Sequence, residues 1–382
     1  MKFARSYIKY LYSMRRHPHD WVNWHGEGNF GDAIQSLAME NLYLEMGVAP
    51  ENLLLIPRDA IDKYDGEPCL LPLQGWFGYF ADIFPLPWSK GITPFFSGFH
   101  LTSTHGSHER FVERGLPELM RPFQPIGCRD CATMYFLRSQ GLNAYFSGCL
   151  TLTFDKRRSE PQNGRVFLVD IEDEVKKRIP PAVMKEADQS ITHYHYFSTY
   201  PVDDKSAMDF EDMSRRILDR YKNEARMVIT SRIHAALPCL AMGIPVVFLD
   251  DKGGDERFGA LKGLIPIYKP HEMSLVNWNP DLPDVEPLKQ IVKRNFFICF
   301  KAALVKHGLP VPPGFPDTEA PDPDDQDMYM RSVERLEAYE VMTMQRQLRQ
   351  SRKDADKLRS EIENLREVLK KFNSDSKVSQ SA

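Results

Sequence analysis

Residues 227–250 read MVITSRIHAALPCLAMGIPVVFLD, and the order of chemistry in that stretch decides the fold. Met227–Thr230 is a short apolar, β-branched run. Ser231–Gly243 has the apolar length and closing glycine of a helix, and Ile244–Asp250 is apolar again before it ends on an acid. Strand, crossover helix and strand predict a parallel pair, hence an α/β sheet. Pro238 inside the helix predicts a kink or a break near the preceding turn. Ser231, at the strand-to-helix turn, is the natural cap.

The same alternation extends outward. Arg165–Asp170 (RVFLVD) and Ile191–Phe197 (ITHYHYF) read as strands, Phe210–Lys222 as an amphipathic helix, and Val285–His307 as a long helix that closes the lobe. Residues 156–308 thus form one α/β lobe, and the polar stretch Asp155–Gly164 (DKRRSEPQNG) joins it to another. That first lobe, residues 21–155, opens with the glycine-rich turn His25–Asp32 (HGEGNFGD). A helical pattern then runs from Ile34 to its stop at Gly47. Short β-type runs follow at Leu53–Ile56, Cys69–Leu73 and Phe95–Phe99, then the helix Ala132–Gln140 and the strand Ala144–Phe146.

The flanks differ in character. Residues 1–20 carry Lys2, Arg5, Lys9, Arg15 and Arg16, with Phe3, Tyr7, Tyr10, Leu11 and Met14 at helical spacing. They read as a basic amphipathic helix, packed on the body or laid on an anionic membrane surface. Residues 309–327, rich in proline and acid, form an extended linker. In residues 328–373 a mainly apolar stripe, weakened at Ser351 and Ala355, steps by three and four from Val341 to Phe372. It reads as the a/d seam of a coiled coil that would join copies of the chain, or else as one face of a single helix folded onto the body. Residues 374–382 are expected to be disordered.

A chain of 382 residues, 42% hydrophobic and 27% charged, fits two folded domains with appendages. A formal net charge of −4 offers no basic field for nucleic acid, so any anion must be held by a few placed cations. No apolar run approaches the ~18 residues of a membrane-spanning helix. Six sparse cysteines suit reduced thiols and a cytoplasmic setting, with Cys128 and Cys131 read as a buried structural pair rather than a metal site.

Three strand-to-helix junctions carry groups suited to chemistry. Ser231-Arg232-Ile233-His234 puts a planar cationic fork and a proton-exchanging imidazole at a sheet's carboxyl edge, where open α/β sheets take ligands. Alone, Arg232 reads equally as a surface ion pair, and His234 as a satisfied structural histidine. At the second junction, Asp130 can cap the helix after it, which leaves Arg129 as a placed cation. At the third, Gly28-Asn29-Phe30-Gly31-Asp32 lets a ligand approach backbone N–H groups, and it also reads as a turn with a cap. Asp250, Asp251, Asp255 and Arg257 follow the strand Ile244–Asp250 at the same carboxyl edge, where Asp255 or Arg257 contacts a substrate or the whole stretch is a charged, solvated loop. His193 and His195 share a strand face, either lining the cleft or partly exposed.

Taken in order, Asn29-Phe30-Gly31-Asp32, Gly75-Trp76-Phe77, Gly127-Cys128-Arg129-Asp130, Ser147-Gly148-Cys149-Leu150-Thr151-Leu152 and Ser231-Arg232-Ile233-His234 resemble the motifs of the polysaccharide pyruvyl transferase family over about residues 20–270. The resemblance implies two Rossmann-like lobes of glycosyltransferase-B type. It also implies phosphoenolpyruvate as donor, no further cofactor and no metal. The acceptor is a saccharide, lipid-linked or polymeric, that receives pyruvate as a cyclic ketal. By position it associates Arg129, Arg232 and His234 with donor binding and catalysis and places Asp32 on the acid of the first motif. Read from the residues, His234 is the candidate acid, Asp32 a catalytic base or acceptor anchor, and Ser231 a donor-binding candidate at the helix entry. Asn29, Asp255 and Arg257 are candidate acceptor contacts. A sugar-nucleotide glycosyltransferase and a non-catalytic carbohydrate-binding scaffold are the alternatives.

Overall fold

The computed structural model describes residues 3–7, 27–77, 87–103, 106–196, 204–251 and 256–317, with 352, 355–356 and 358–366 beyond them. Strand β1 is Phe3–Tyr7, β2 Glu27–Asn29, helix α1 Phe30–Glu45, β3 Leu53–Pro57, β4 Cys69–Trp76 and β5 Ile92–His100. Short helices α2 (Ser107–Glu113) and α3 (Leu116–Met120) precede β6 (Ile126–Cys128), α4 (Cys131–Ser139) and β7 (Ala144–Phe146). After β8 (Arg165–Val169) come α5 (Asp173–Lys176), α6 (Pro181–Glu186), β9 (Ala187–Asp188) and β10 (Tyr194–Tyr196). The chain continues through α7 (Asp204–Glu224), β11 (Ala225–Thr230), α8 (Ile233–Ala241), β12 (Val246–Leu249), β13 (Ile267–Tyr268) and α9 (Glu286–Lys306).

Two parallel sheets organise these elements. The first has strand order β4-β5-β6-β7 and the second β13-β12-β11-β8-β9. Parallel neighbours need crossovers, so helices cover the faces and the strands read as unbroken apolar runs. MVIT and VVFL, for example, are buried throughout, and β11 pairs with β12 from Val228 opposite Val246. The chain is therefore a mixed α/β protein with parallel sheets, as the alternation predicts.

Helix α8 is buried at every position, consistent with its apolar character all round. It runs through Pro238 without a break. The proline denies a donor only to the carbonyl one turn back, at His234, and Met242 N still donates to Pro238 O at 2.9 Å.

The start of the chain corrects the sequence expectation. Residues 3–7 are a strand, parallel to β3 with Phe3 opposite Leu53, rather than the first turns of a basic helix. Phe and Tyr serve a strand as well as a helix, and the apolar run Leu53–Ile56 offers a ladder that a local helix lacks. Residues 8–20 lie outside the described ones.

Chain order and spatial order part at two helices. Helix α1 precedes the first sheet but packs on α7 and α8, and its residues share a core with β8, β11 and α8. Strand β2 pairs antiparallel with β10, Asn29 opposite Tyr194. Helix α9 in turn reaches back to β5, where Phe95 lies edge-on to Phe296 and Phe300 at 5.6 and 5.2 Å.

In the separate unit Val333–Ala382, residues 358–366 are helical, with Leu358, Ile362 and Leu365 exposed. The rest of the expected coiled coil, the linker beyond residue 317 and the tail 374–382 lie outside the described residues. Among the described residues no helix is long and apolar enough to cross a membrane.

Candidate active site

Strand β11 ends at Thr230, and the next four residues build the site. Arg232, not Ser231, takes the N-cap position of α8, which has no side-chain cap. The reason is local: Thr230 Oγ1 accepts from Arg232 N at 2.9 Å, while Ser231 Oγ donates to Asp170 O at 2.7 Å. Ser231 thus ties β11 to β8 instead of capping the helix. Arg232 Nε donates to Asp170 Oδ2 at 3.0 Å, and the guanidinium lies 4.0 Å over the Tyr194 ring. An ion pair on Nε and an aromatic ring against the guanidinium carbon together hold the side chain in place.

His234 follows in the first turn of α8 and is 7% exposed. Against it stands α1: a Cβ built on Gly31 would meet His234 Nδ1 at 2.9 Å and His234 Cβ at 3.1 Å. Only glycine lets the two helix starts approach so closely. Asn29 caps α1, its side chain accepting from Gly31 N at 3.0 Å, so this candidate acceptor contact is engaged in the turn. Asp32, in the same first turn, accepts from Gln35 Nε2 at 3.2 Å. Gln35 is wedged beside Gly75 (φ 100°), and its carbonyl accepts from Gln74 Nε2 at 2.7 Å. The end of β4 is thereby joined to the α1 turn.

At the first sheet's carboxyl edge, Asp130 caps α4 as expected, accepting from Thr133 N at 2.8 Å. It also sits 2.5 Å from His100 Nδ1 at the end of β5. Burial works to raise the Asp130 pKa, but the adjoining His100 and then Arg129 hold it below the ordinary carboxylate value. Arg129 itself is 1% exposed, a buried cation rather than a surface one. Ser147 is structural, accepting from Gly98 N at 2.8 Å and donating to Cys128 O at 3.1 Å. Burial pushes the Cys128 thiol up, which fits an inert side chain.

A cleft of about 220 Å³ opens at the second sheet's edge, where Arg232, Tyr194, Glu172, Asp173, Asp251 and Phe258 contribute walls. The 3₁₀ turn Glu256–Leu261 links the two edges. Its Phe258 lines the cleft, and a Cβ on Gly259 would meet Asp130 Cβ at 2.5 Å. Arg257 lies in this turn, and Asp255 lies outside the described residues. Asp250 is buried rather than solvated.

Of the two strand histidines, neither is among the residues that line the cleft. His193 is buried with Nε2 2.9 Å from Tyr221 Oη, and its pKa is lowered to about 4, chiefly by burial. His195 lies against Phe30 and Phe210. Tyr194, between them, is the residue that reaches Arg232. The sequence alone marks neither Asp170 nor Tyr194 as a site residue; the acid closing RVFLVD is the local signal for the first. Among the described residues no group of His, Cys, Asp and Glu side chains is arranged to hold a metal ion.

Parallel sheets with an arginine and a histidine at the entry of a buried helix, beside a glycine turn from another helix, define an α/β protein whose candidate site lies at the carboxyl edge of a sheet. The chain belongs to the polysaccharide pyruvyl transferase family, whose model matches residues 29–253, and it is a transferase by that membership. No curated protein matches it. Among solved structures, a functionally uncharacterised protein from Klebsiella pneumoniae subsp. pneumoniae is similar at 12% identity. Its TM-score is 0.36, over 68% of this chain and 87% of that one.

Proposed function

We propose that the protein transfers pyruvate from phosphoenolpyruvate to a saccharide, forming a cyclic ketal. The observation that carries this reading is the closure of Gly31 on His234, two residues from the anchored Arg232. It sets a proton-exchanging group, a planar cation and Asp32 around two helix starts. Arg232 and Arg129 bind the donor's carboxylate and phosphate, and Ser231 steadies the turn that presents Arg232. His234 protonates the methylene carbon, and the cation left at C2 is stabilised by its oxygen. One sugar hydroxyl attacks C2, the C–O bond to phosphate breaks, and a second hydroxyl closes the ketal. Of the two hydroxyl protons released, one restores His234 and one leaves on phosphate. Asp32 is the base or the acceptor anchor.

In this reading the two sheets act as the Rossmann-like lobes of a glycosyltransferase-B-like enzyme. The protein works in the cytoplasm, and its C-terminal helix joins copies of the chain. The test is phosphate release from phosphoenolpyruvate with a panel of glycans. Release that depends on the glycan supports the reading; binding of a sugar nucleotide in place of phosphoenolpyruvate overturns it.

A further inference from the structure

Asp170 closes β8 in an unusual conformation. Among the described residues it is the non-glycine residue with a positive φ, 50°. Aspartate tolerates that left-handed region better than most side chains. The turn brings three groups to one residue. Oδ2 accepts from His193 N at 2.9 Å and from Arg232 Nε at 3.0 Å, while the main-chain oxygen accepts from Ser231 Oγ at 2.7 Å. His193 O in turn accepts from Phe30 N at 2.9 Å, one residue before the glycine that meets His234. Asp170 therefore sits at the centre of a chain of contacts that runs from Arg232 to the α1 turn.

We propose that Asp170 is a positioning residue, which acts through Arg232 by fixing the guanidinium in place for the donor anion. This rests on the donor-binding role of Arg232. Two effects of the carboxylate oppose each other. As a counter-ion it reduces the pull of Arg232 on an anion, whereas as an acceptor it holds the fork in one orientation. The geometry favours the second. The contact engages Nε and keeps the terminal nitrogens as the fork, and the Tyr194 ring supports the guanidinium at 4.0 Å. An arginine already ordered loses less conformational freedom on binding.

The opposed effects predict opposite outcomes for phosphoenolpyruvate binding, measured by calorimetry on the full chain. Asp170→Gly removes the acceptor and relaxes the left-handed backbone, so the fold is retained, as thermal unfolding will show. It should weaken binding by about 10–100-fold, the range for a lost charge-assisted hydrogen bond. Asp170→Asn keeps the acceptor and suits a positive φ, so it should lose only about a few-fold. In an Arg232→Ala background Asp170→Gly should add little, because the two act as one unit.

Tighter binding in either Asp170 variant, or an equal loss in the Arg232→Ala background, overturns the positioning role while the donor reading stands. Wild-type affinity in Arg232→Ala overturns the donor reading, and the positioning role with it.

Discussion

A Cβ on Gly31 would stand 2.9 Å from Nδ1 of His234 and 3.1 Å from its Cβ, so the first turn of α1 closes on the first turn of α8. Gly31→Ala gains up to about 1 kcal/mol of helix propensity. It meets a buried helix start that cannot recede, and such overpacking costs about 1–3 kcal/mol. The clash should win. We expect a modest loss of stability by chemical denaturation and a larger loss of phosphate release, because His234 is displaced. Wild-type turnover in Gly31→Ala would separate this contact from function.

His193 gives stability a pH dependence. Burial lowers its pKa to about 4 from the ordinary 6.5, with a further lowering from Arg232 that Asp170 opposes. Between those values the unfolded chain binds the proton and the folded one does not, so stability rises with pH. The contribution is full above about 6.5 and lost as pH falls through about 4, a change of about 3 kcal/mol. Denaturant titrations across this window should show a slope that His193→Gln flattens.

Asp130→Ala removes the α4 cap and the acceptor beside His100 in one step. A cap is worth about 1 kcal/mol and a buried charged acceptor about 1.5–3 kcal/mol. The expected loss is therefore about 2.5–4 kcal/mol by thermal or chemical unfolding, and most of it should persist in Asp130→Ser, which restores only the cap. Full rescue by serine would mean that the His100 contact contributes little.

Local periodicity made the two sheets legible in advance: the strand–helix–strand unit at 227–250, the cap at Asp130 and the helix through residues 286–306 all follow from spacing and end signals. What escaped depends on contacts between distant residues. RVFLVD shows an acid at a strand end, but nothing local shows that Asp170 takes a positive φ or faces Arg232 across 62 positions. In HYH the histidines are the titratable pair, whereas the ring that carries Arg232 belongs to the tyrosine between them. Helix α1 follows the chain into the first lobe by order, and only its packing on α7 and α8 reveals the other affiliation. Residues 3–7 could serve either period, and pairing with β3 decided.

The C-terminal stripe predicts assembly. Ending the chain after Pro323 should lower the oligomeric state and leave the two sheets folded, because Leu358, Ile362 and Leu365 are exposed on their own helix. Light scattering on full-length and shortened proteins measures it, with circular dichroism to follow the fold. An unchanged oligomeric state would assign the stripe to some other contact.

The central claim is the division of labour between Arg232 and His234, and one pair of variants measures it. Calorimetry with phosphoenolpyruvate and a phosphate-release assay with an accepting glycan are run on Arg232→Lys and His234→Ala. Lysine keeps the charge but loses the planar fork stacked on Tyr194, so donor binding should weaken. Alanine at 234 removes the general acid, so binding should hold while turnover falls by about 10²–10⁴-fold. If His234→Ala instead weakens donor binding and leaves turnover at saturating donor unchanged, or if the wild type binds a sugar nucleotide and not phosphoenolpyruvate, the account is contradicted.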